Sequence, residues 1–576
     1  MPKPKADGSV KKAPDAGERP SLPGGAGVAI WVLLMLRLVG ASVTTIADCD
    51  ETFNYWEPMH FVFFGYGFQT WEYSPEHALR SYLFLLPHGM TAWLSAKVVG
   101  HTAAFVATRS VQALVATGLE AFFVRSIAKR FGAGVACTTA WLLAVSPGMF
   151  VAAVAFLPSS VAMLTVCAVW GLWLRERCYS AISIGIAAGV LVWPFAWLMF
   201  VPLGLHAMAF CGPVRPVVVA VISVAVFATL SVSVDSKFYG RIVLPAFEIF
   251  RYNVLNKGSS ELYGVEPWYF YVMNGFLNLT FCLPVAAALP IFGPLANFVG
   301  HVPGARDKEP GFGYLSLVWY CSAAFLWFAF FSSIPHKEER FLAPAYPVLM
   351  LAAAGAAHAG SDVLSSFCAV LPLFGKILVV LTRRIPAIFV VVVALLSASR
   401  INAVRLGYGA PLAIYNQLSV ELAQLKEARG ATPTHVCIGA EWHRYMTSFH
   451  LPDSDCHLSY IRFGPTGALP AEFNATLGTQ GIPPNMNDRN LEELSRYVDP
   501  KVCDFLVDLV IDDGQGDFPA LRREEWDVVL EESFLDASKS KFPWRAFHVP
   551  GLSRQRNHYV PYRLLRRTSL RKFQKQ

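Results

Sequence analysis

The chain has 576 residues, of which 54% are hydrophobic, 13% aromatic and only 15% charged. A water-soluble protein of this length needs far more charge to cover its surface, so the composition excludes a purely soluble globule and requires several membrane spans beside some soluble mass. The formal net charge is +7, but the basic residues gather at the two ends and in short loops, a distribution that follows membrane topology and excludes a nucleic-acid surface.

Residues 1–25 are rich in Pro, Gly and Lys and predict a disordered tail. Residues 26–47 predict the first span. The stretch is too long for the apolar part of an ordinary cleaved signal peptide, and the basic tail before it marks a retained anchor, with the tail cytosolic and residue 48 luminal. Residues 48–80 are too polar and aromatic to span. Residues 80–100 are apolar but interrupted at Pro87-His88-Gly89, and are expected to lie in the membrane plane or re-enter, so that 48–104 form one luminal loop.

The segment 105–124 then crosses to Arg125, Lys129 and Arg130, 134–155 returns, and 158–174 ends at Arg175 and Arg177. Residues 181–210 carry a break at Trp193-Pro194 and predict two short passes. The stretch 214–234 reaches the lumen again, followed by a polar, aromatic loop over 235–267. Spans at 268–299 and 312–334 enclose a cytosolic loop with Arg306, Lys308 and Glu309, which leaves His336–Arg340 luminal. Residues 341–358 cross back, Lys376, Arg383 and Arg384 mark the cytosolic side, and 386–402 make the last crossing. The fold class is therefore a polytopic all-α membrane protein of about ten to twelve helices over 26–402, followed by a soluble unit.

From residue 403 the apolar runs shorten to Thr434–Ile438, Cys503–Ile511 and Trp526–Leu530. They predict a luminal α+β domain over 403–576, with Val507–Ile511 a buried strand. The sequon Asn474-Ala475-Thr476 agrees with a luminal location. The 11 cysteines show neither CxxC nor zinc spacing. Cys49, Cys437, Cys456 and Cys503 fall on the luminal side, where a pair among them or four unpaired thiols are both open. The basic tail Arg563–Lys575 either lies against anionic lipid or is simply solvated.

Three clusters can carry chemistry. Asp48-Cys49-Asp50-Glu51 places three carboxylates in four residues just past the first span, where mutual repulsion raises the pKa of one of them and suits a general base. A solvated acidic loop is the alternative. The run continues through Tyr55-Trp56-Glu57, too aromatic for such a loop, and aromatic faces beside carboxylates hold sugars. His336-Lys337-Glu338-Glu339-Arg340 offers cations to a lipid phosphate or, equally, forms a snorkelling helix end. Tyr263–Tyr271, with Glu266 and Trp268, reads as an interfacial aromatic belt or a second sugar surface. Arg37 lies within the first span and must face the bundle, paired with a carboxylate or held by a structural contact.

These strings resemble one family. Asp48–Pro58 and Gly67–Pro75 are similar to the first luminal loop of glycosyltransferase family twenty-two, in the GT-C superfamily. Phe156–Ser160, Leu262–Tyr271, His336–Leu342, Met486–Glu493 and Phe534–Ser538 match in the same order, and the likeness runs from 26 to 565. The resemblance implies a GT-C fold in the endoplasmic-reticulum membrane with a luminal active site. It implies α-1,2 transfer of mannose, in asparagine-linked glycosylation, from dolichyl-phosphate mannose to the oligosaccharide on dolichyl diphosphate, at two branches. Members that make α-1,6 bonds on the same glycan, or act on the glycosylphosphatidylinositol anchor, tend to carry a His-Pro-Asp-Glu-like string where this chain has Asp48-Cys49-Asp50-Glu51.

A β-linked donor and an α-linked product require inversion, hence one base and cations at the leaving phosphate. Asp50 is assigned as base, with Asp48 and Glu51 positioning the acceptor or serving as fallback. His336, Lys337 and Arg340 are assigned to the phosphate. Tyr55, Trp56, Glu57, Trp71, Tyr263, Glu266 and Trp268 are assigned to sugar. No cofactor or metal is required, although the acids leave room for a divalent ion. The expected partners are the two lipid-linked substrates and membrane lipid. A lipid or sugar transporter is the rival class; the acids outside the hydrocarbon, the missing inverted repeat and the soluble domain weigh against it.

Overall fold

In the computed structural model, residues 24–255, 264–299, 313–371, 374–430, 432–462, 467–510 and 524–573 are described. Tyr263 and the loop with Arg306, Lys308 and Glu309 lie outside them, as does most of the tail 1–25.

Seven helices among the described residues are long and apolar enough to cross a membrane, from Gly25–Val43 to Ile385–Tyr408, and four shorter apolar helices join them. The chain is a multi-pass membrane protein. Arg37 explains how a guanidinium is tolerated in the first helix. It is fully buried and pairs with Glu120 at 2.8 Å, and it also donates to the Leu143 carbonyl at 2.8 Å. Of the two options open to Arg37, the carboxylate is the one used, and the pair ties the helix Gly24–Val43 to His101–Phe131 and Ala133–Val145.

The break expected at Pro87-His88-Gly89 does not occur. Tyr82–Val99 is one helix with Pro87 inside it. Its N-terminus is pinned by Asp235, which accepts the Leu83 N–H at 3.0 Å and the Ser81 hydroxyl at 3.0 Å. Gly89 serves close packing: a Cβ there would collide with the Phe63 ring. The break at Trp193-Pro194 does occur. The helix Cys178–Ala187 widens into a π turn at Ala188–Val192, Trp193 is extended, and Pro194 opens the next turn. The single span expected over 268–299 is instead three pieces, Phe270–Leu279, Cys282–Ala287 and Leu289–Val299. Thr280 at φ 52 ends the first, and Pro284 and Pro290 fall in the first turns of the next two, where a missing N–H costs little.

After the helix Ala410–Arg429, the C-terminal part forms a five-stranded sheet. Its strands are β2 (Thr434–Ile438), β3 (Cys456–Tyr460), β5 (Phe505–Leu509), β6 (Trp526–Leu535) and β7 (Tyr559–Arg567), in the order β3-β2-β5-β7-β6. β2 runs parallel to β3 and β5, and β7 pairs antiparallel with β5 and β6. The strand expected at Val507–Ile511 starts two residues earlier, and β5 is buried at every position. Cys437 on β2 bonds Cys503 just before β5, while Cys49 and Cys456 are free thiols. A small second sheet pairs β1 (Phe68–Gln69) with β4 (Ala471–Glu472), so the first loop is stitched to the C-terminal unit.

Candidate active site

Asp48 caps the short helix Cys49–Glu51, its Oδ1 accepting the Asp50 N–H at 3.0 Å. Acids are favoured at such an N-terminus because unsatisfied N–H groups carry partial positive charge. The helix continues through a π turn, Thr52–Trp56, into Glu57–Phe64. Gly67, at φ +152, returns the chain so tightly against the Glu57 carbonyl that no side chain would fit.

Asp48 and Asp50 converge on one guanidinium. Arg340, from the turn Glu339–Ala345, donates to Asp48 at 2.8 Å and to Asp50 at 2.5 Å, and also pairs with Glu338. A second guanidinium stands on the other side. Arg80 lies 3.9 Å from Asp50, pairs with Glu72 and donates to the Tyr55 hydroxyl at 2.6 Å. The two aspartates are driven apart. Burial, with the charges of Asp50 and Glu338, pushes Asp48 up to about 7 against the pull of Arg340. Burial opposes ionisation of Asp50 as well, but Arg340 and Arg80 together outweigh it and hold that carboxyl below its usual range. Asp48 is thus the carboxyl of the two that holds a proton more readily.

The other residues singled out in the sequence are dispersed. Glu51 faces away from Asp50 and accepts the Trp56 indole N–H at 3.0 Å and the Phe156 N–H at 2.9 Å; burial raises its pKa. Trp56 is fully buried between Phe105 and Phe156. Glu57 is buried against the C-terminal unit, accepting the Ser448 N–H at 2.7 Å and its hydroxyl at 2.6 Å, and burial pushes it up to about 7. Beside it the Thr52 hydroxyl meets the carbonyls of Tyr445 and Met446, both at 3.0 Å. Trp56 and Glu57 thus brace the turn that carries Asp48 and Asp50 from behind.

Lys337 does not reach the acids. It is buried, and its ammonium donates to the carbonyls of Glu266 at 2.7 Å and Ile334 at 2.5 Å. Glu266 takes part through its backbone, its N–H also donating to the Pro335 carbonyl at 3.1 Å. His336 bridges the Gly264 carbonyl and Glu338, both at 2.9 Å, and the Glu338 contact raises its pKa. Trp268 is 70% exposed, and Trp71 packs on Tyr252 and His77.

Arg80 and Tyr55 also line a narrow cleft, completed by Phe84, Trp193, Pro194 and Ile249 among others. One end is cationic and the rest mostly apolar, which suits an amphiphile with an anionic head. Arg80 escaped the sequence reading. Its signal was available: it is the single Lys or Arg between Asp48 and Ala96, in a stretch with six acids. Asp48, Cys49 and Asp50 offer ligand atoms within 4.8 Å of one another. Arg340 already covers both carboxylates, and burial keeps the Cys49 thiol protonated.

Two aspartates held between two guanidiniums, next to a break in the membrane helices, are the groups a membrane-bound transferase can use for proton transfer and charge stabilisation. The profile of the Alg9-like mannosyltransferase family matches residues 28–452, and the chain belongs to that family of glycosyltransferases. It is 37% identical to the α-1,2-mannosyltransferase ALG9 of Mus musculus over 93% of this chain and 87% of the relative. Identity to ALG9 of Homo sapiens is 36% over 96% and 92%, and to that of Schizosaccharomyces pombe 34% over 90% and 92%. GPI mannosyltransferase 3 of Candida albicans is 26% identical over 55% of this chain and 61% of the relative. Among solved structures, ArnT from Cupriavidus metallidurans bound to undecaprenyl phosphate aligns with a TM-score of 0.49 at 15% identity, covering 76% of this chain and 85% of that one.

Proposed function

We infer that the chain transfers mannose from dolichyl-phosphate mannose, with inversion and in α-1,2 linkage, to the mannose-rich oligosaccharide on dolichyl diphosphate, at the luminal face of the endoplasmic-reticulum membrane. The observation that carries this reading is the pair Asp48–Asp50 clamped between Arg340 and Arg80, with Arg80 also lining a mostly apolar cleft. Asp50 is ionised at neutral pH and takes the proton of the attacking 2-hydroxyl. Asp48, which holds a proton more readily, hydrogen-bonds the acceptor and can receive the proton in turn. Arg80 and Arg340 steady the charge that develops on the leaving phosphate. His336 and Lys337 act behind them: His336 holds Glu338 and Lys337 fixes the backbone that carries Arg340. Tyr55 remains beside the cleft as a sugar contact. A phosphodiester donor leaves as a stabilised phosphate, so the reading requires no metal.

Incubation of the purified chain with short-chain dolichyl-phosphate mannose and defined lipid-linked acceptors tests this, with α-1,2-linked product expected. Product in α-1,6 linkage, or transfer only to a glycosylphosphatidylinositol precursor, would assign the chain to another branch of the family.

The alternation of basic loops supports a luminal location for the C-terminal unit. Asn474, on an exposed turn in which its Oδ1 accepts the N–H groups of Thr476 and Leu477 at 2.9 Å, then receives an N-glycan. Protease added to intact microsomes should spare residues beyond 403, and endoglycosidase should shift the wild-type chain but not Asn474→Gln. Digestion without detergent would reverse the topology.

A further inference from the structure

One stretch of the C-terminal unit lies beside the membrane helices and not over the catalytic turn. The backbone N–H of His548 donates to the Ser399 carbonyl at 3.0 Å, and the Ser399 hydroxyl donates to the His548 carbonyl at 3.0 Å. Arg400 donates to the Ala546 carbonyl at 3.2 Å, and the Phe547 ring meets Phe276 of the helix Phe270–Leu279 at 6.3 Å. Ser399 and Arg400 sit where the membrane helix Ile385–Tyr408 changes from an unbroken apolar run to a face with Arg400 and Arg405. That change of polarity marks the membrane–water boundary.

What the stretch turns outward is poorly suited to water. Phe542 is 57% exposed, Leu552 45% and Val549 39%, and Trp544 is half-buried. Single exposed apolar side chains are ordinary, but these cluster within eleven positions and are interleaved with Lys539, Lys541, Arg545, Arg554 and Arg556. No Asp or Glu occurs from Ala537 to the end of the chain. Lys541, Arg554 and Arg556 form no ion pair among the described residues. Aromatic and aliphatic side chains mixed with long cations, at the depth of a membrane boundary, is the composition of an interfacial anchor: the rings enter the headgroup layer and the cations meet lipid phosphates.

We propose that residues 539–556 dock the C-terminal unit onto the bilayer surface by binding anionic phospholipid. The partner is the headgroup layer of the surrounding leaflet; the uncompensated positive charge and the position at the end of a membrane helix select it. The same unit carries the loop that grips Thr52 and Glu57 behind the catalytic acids. Docking therefore fixes the height of that grip relative to the lipid tails of the substrates.

Hydrogen exchange of the full-length chain in nanodiscs tests this independently of mannose transfer. Amides of 539–556 should exchange about tenfold more slowly in discs containing phosphatidylinositol than in discs of phosphatidylcholine alone, since each basic residue near an anionic surface contributes separately. Lys541→Glu with Arg554→Glu and Arg556→Glu, all exposed positions, should remove that difference and leave exchange in β2 and β5 unchanged. Phe542→Ser with Leu552→Ser should speed exchange of the segment in both kinds of disc. Equal protection in the two discs for the wild-type chain would overturn the proposal. Protection that appears only on adding a dolichyl-diphosphate oligosaccharide, whatever the bilayer charge, would also overturn it and make the segment part of the acceptor site.

Discussion

Asp50→Asn should lower mannose transfer by about a hundred- to ten-thousandfold, the usual contribution of a general base. The protein should stay folded, because asparagine keeps the shape and can still accept a hydrogen bond from Arg340, which sits 2.5 Å away in the wild-type chain. The pH profile distinguishes the two aspartates. A base acts only when deprotonated, so activity is lost as pH falls through its pKa. With Asp50 held low by Arg340 and Arg80, wild-type turnover governed by Asp50 stays flat through neutrality. The residual activity of the variant would run through Asp48. Its acid limb should lie at or below about 7, because the neutral asparagine no longer pushes Asp48 up. Near-normal turnover in the variant would remove Asp50 from the role of base. A wild-type acid limb near 7 would move that role to Asp48.

Arg340→Ala should be the most damaging change in the second cluster. Arg340 faces Asp48, Asp50 and Glu338 at once, so its loss leaves the two aspartates with Arg80, which also serves Glu72, and Glu338 with His336. Removing a charge-assisted contact of this half-buried kind costs about 1.5–3 kcal/mol, and each 1.4 kcal/mol is about a factor of ten. Donor use should fall about ten- to a hundredfold, and more steeply at the acid end, because the aspartates protonate at higher pH once the cation is gone. Arg340→Lys should recover part of the charge but not the fork that reaches two carboxylates together. Apparent constants measured with a short-chain dolichyl-phosphate mannose analogue and with the acceptor separate the alternatives. An unchanged donor constant with a raised acceptor constant would place this cluster at the oligosaccharide and leave Arg80 as the cation at the phosphate.

Lys337 shows how far a string of letters can be read. His336-Lys337-Glu338-Glu339-Arg340 presents three basic side chains as equals, yet Lys337 is spent on the carbonyls of Glu266 and Ile334 while Arg340 reaches the acids. Asp48-Cys49-Asp50-Glu51 likewise presents three equal acids. On a helix, neighbouring residues point about 100° apart, so when Asp50 faces Arg340 its neighbour Glu51 must face elsewhere, and it binds the Phe156 backbone. The break at Trp193 was legible because an extended residue before proline is a local preference. The continuity through Pro87 was not legible, since the groups that meet this helix, Asp235 at its N-terminus and Phe63 against Gly89, come from elsewhere in the chain.

Hydropathy and charge are properties of consecutive residues. The sequence alone therefore determined the membrane class, the order of apolar segments and the change to short strand-like runs in the C-terminal part, and its long strings determined the family. Ion pairs and clefts are made between residues far apart in the chain. Arg340 meets Asp48 across 292 positions, and Ser448 meets Glu57 across 391. Nothing local encodes either distance. The pairing of two aspartates with Arg340 and Arg80, the retirement of Glu51, Glu57 and Lys337 to the supporting structure, and the placement of residues 539–556 at the membrane boundary were decided only when the helices and the sheet packed, because packing alone sets which charges share a site shielded from water.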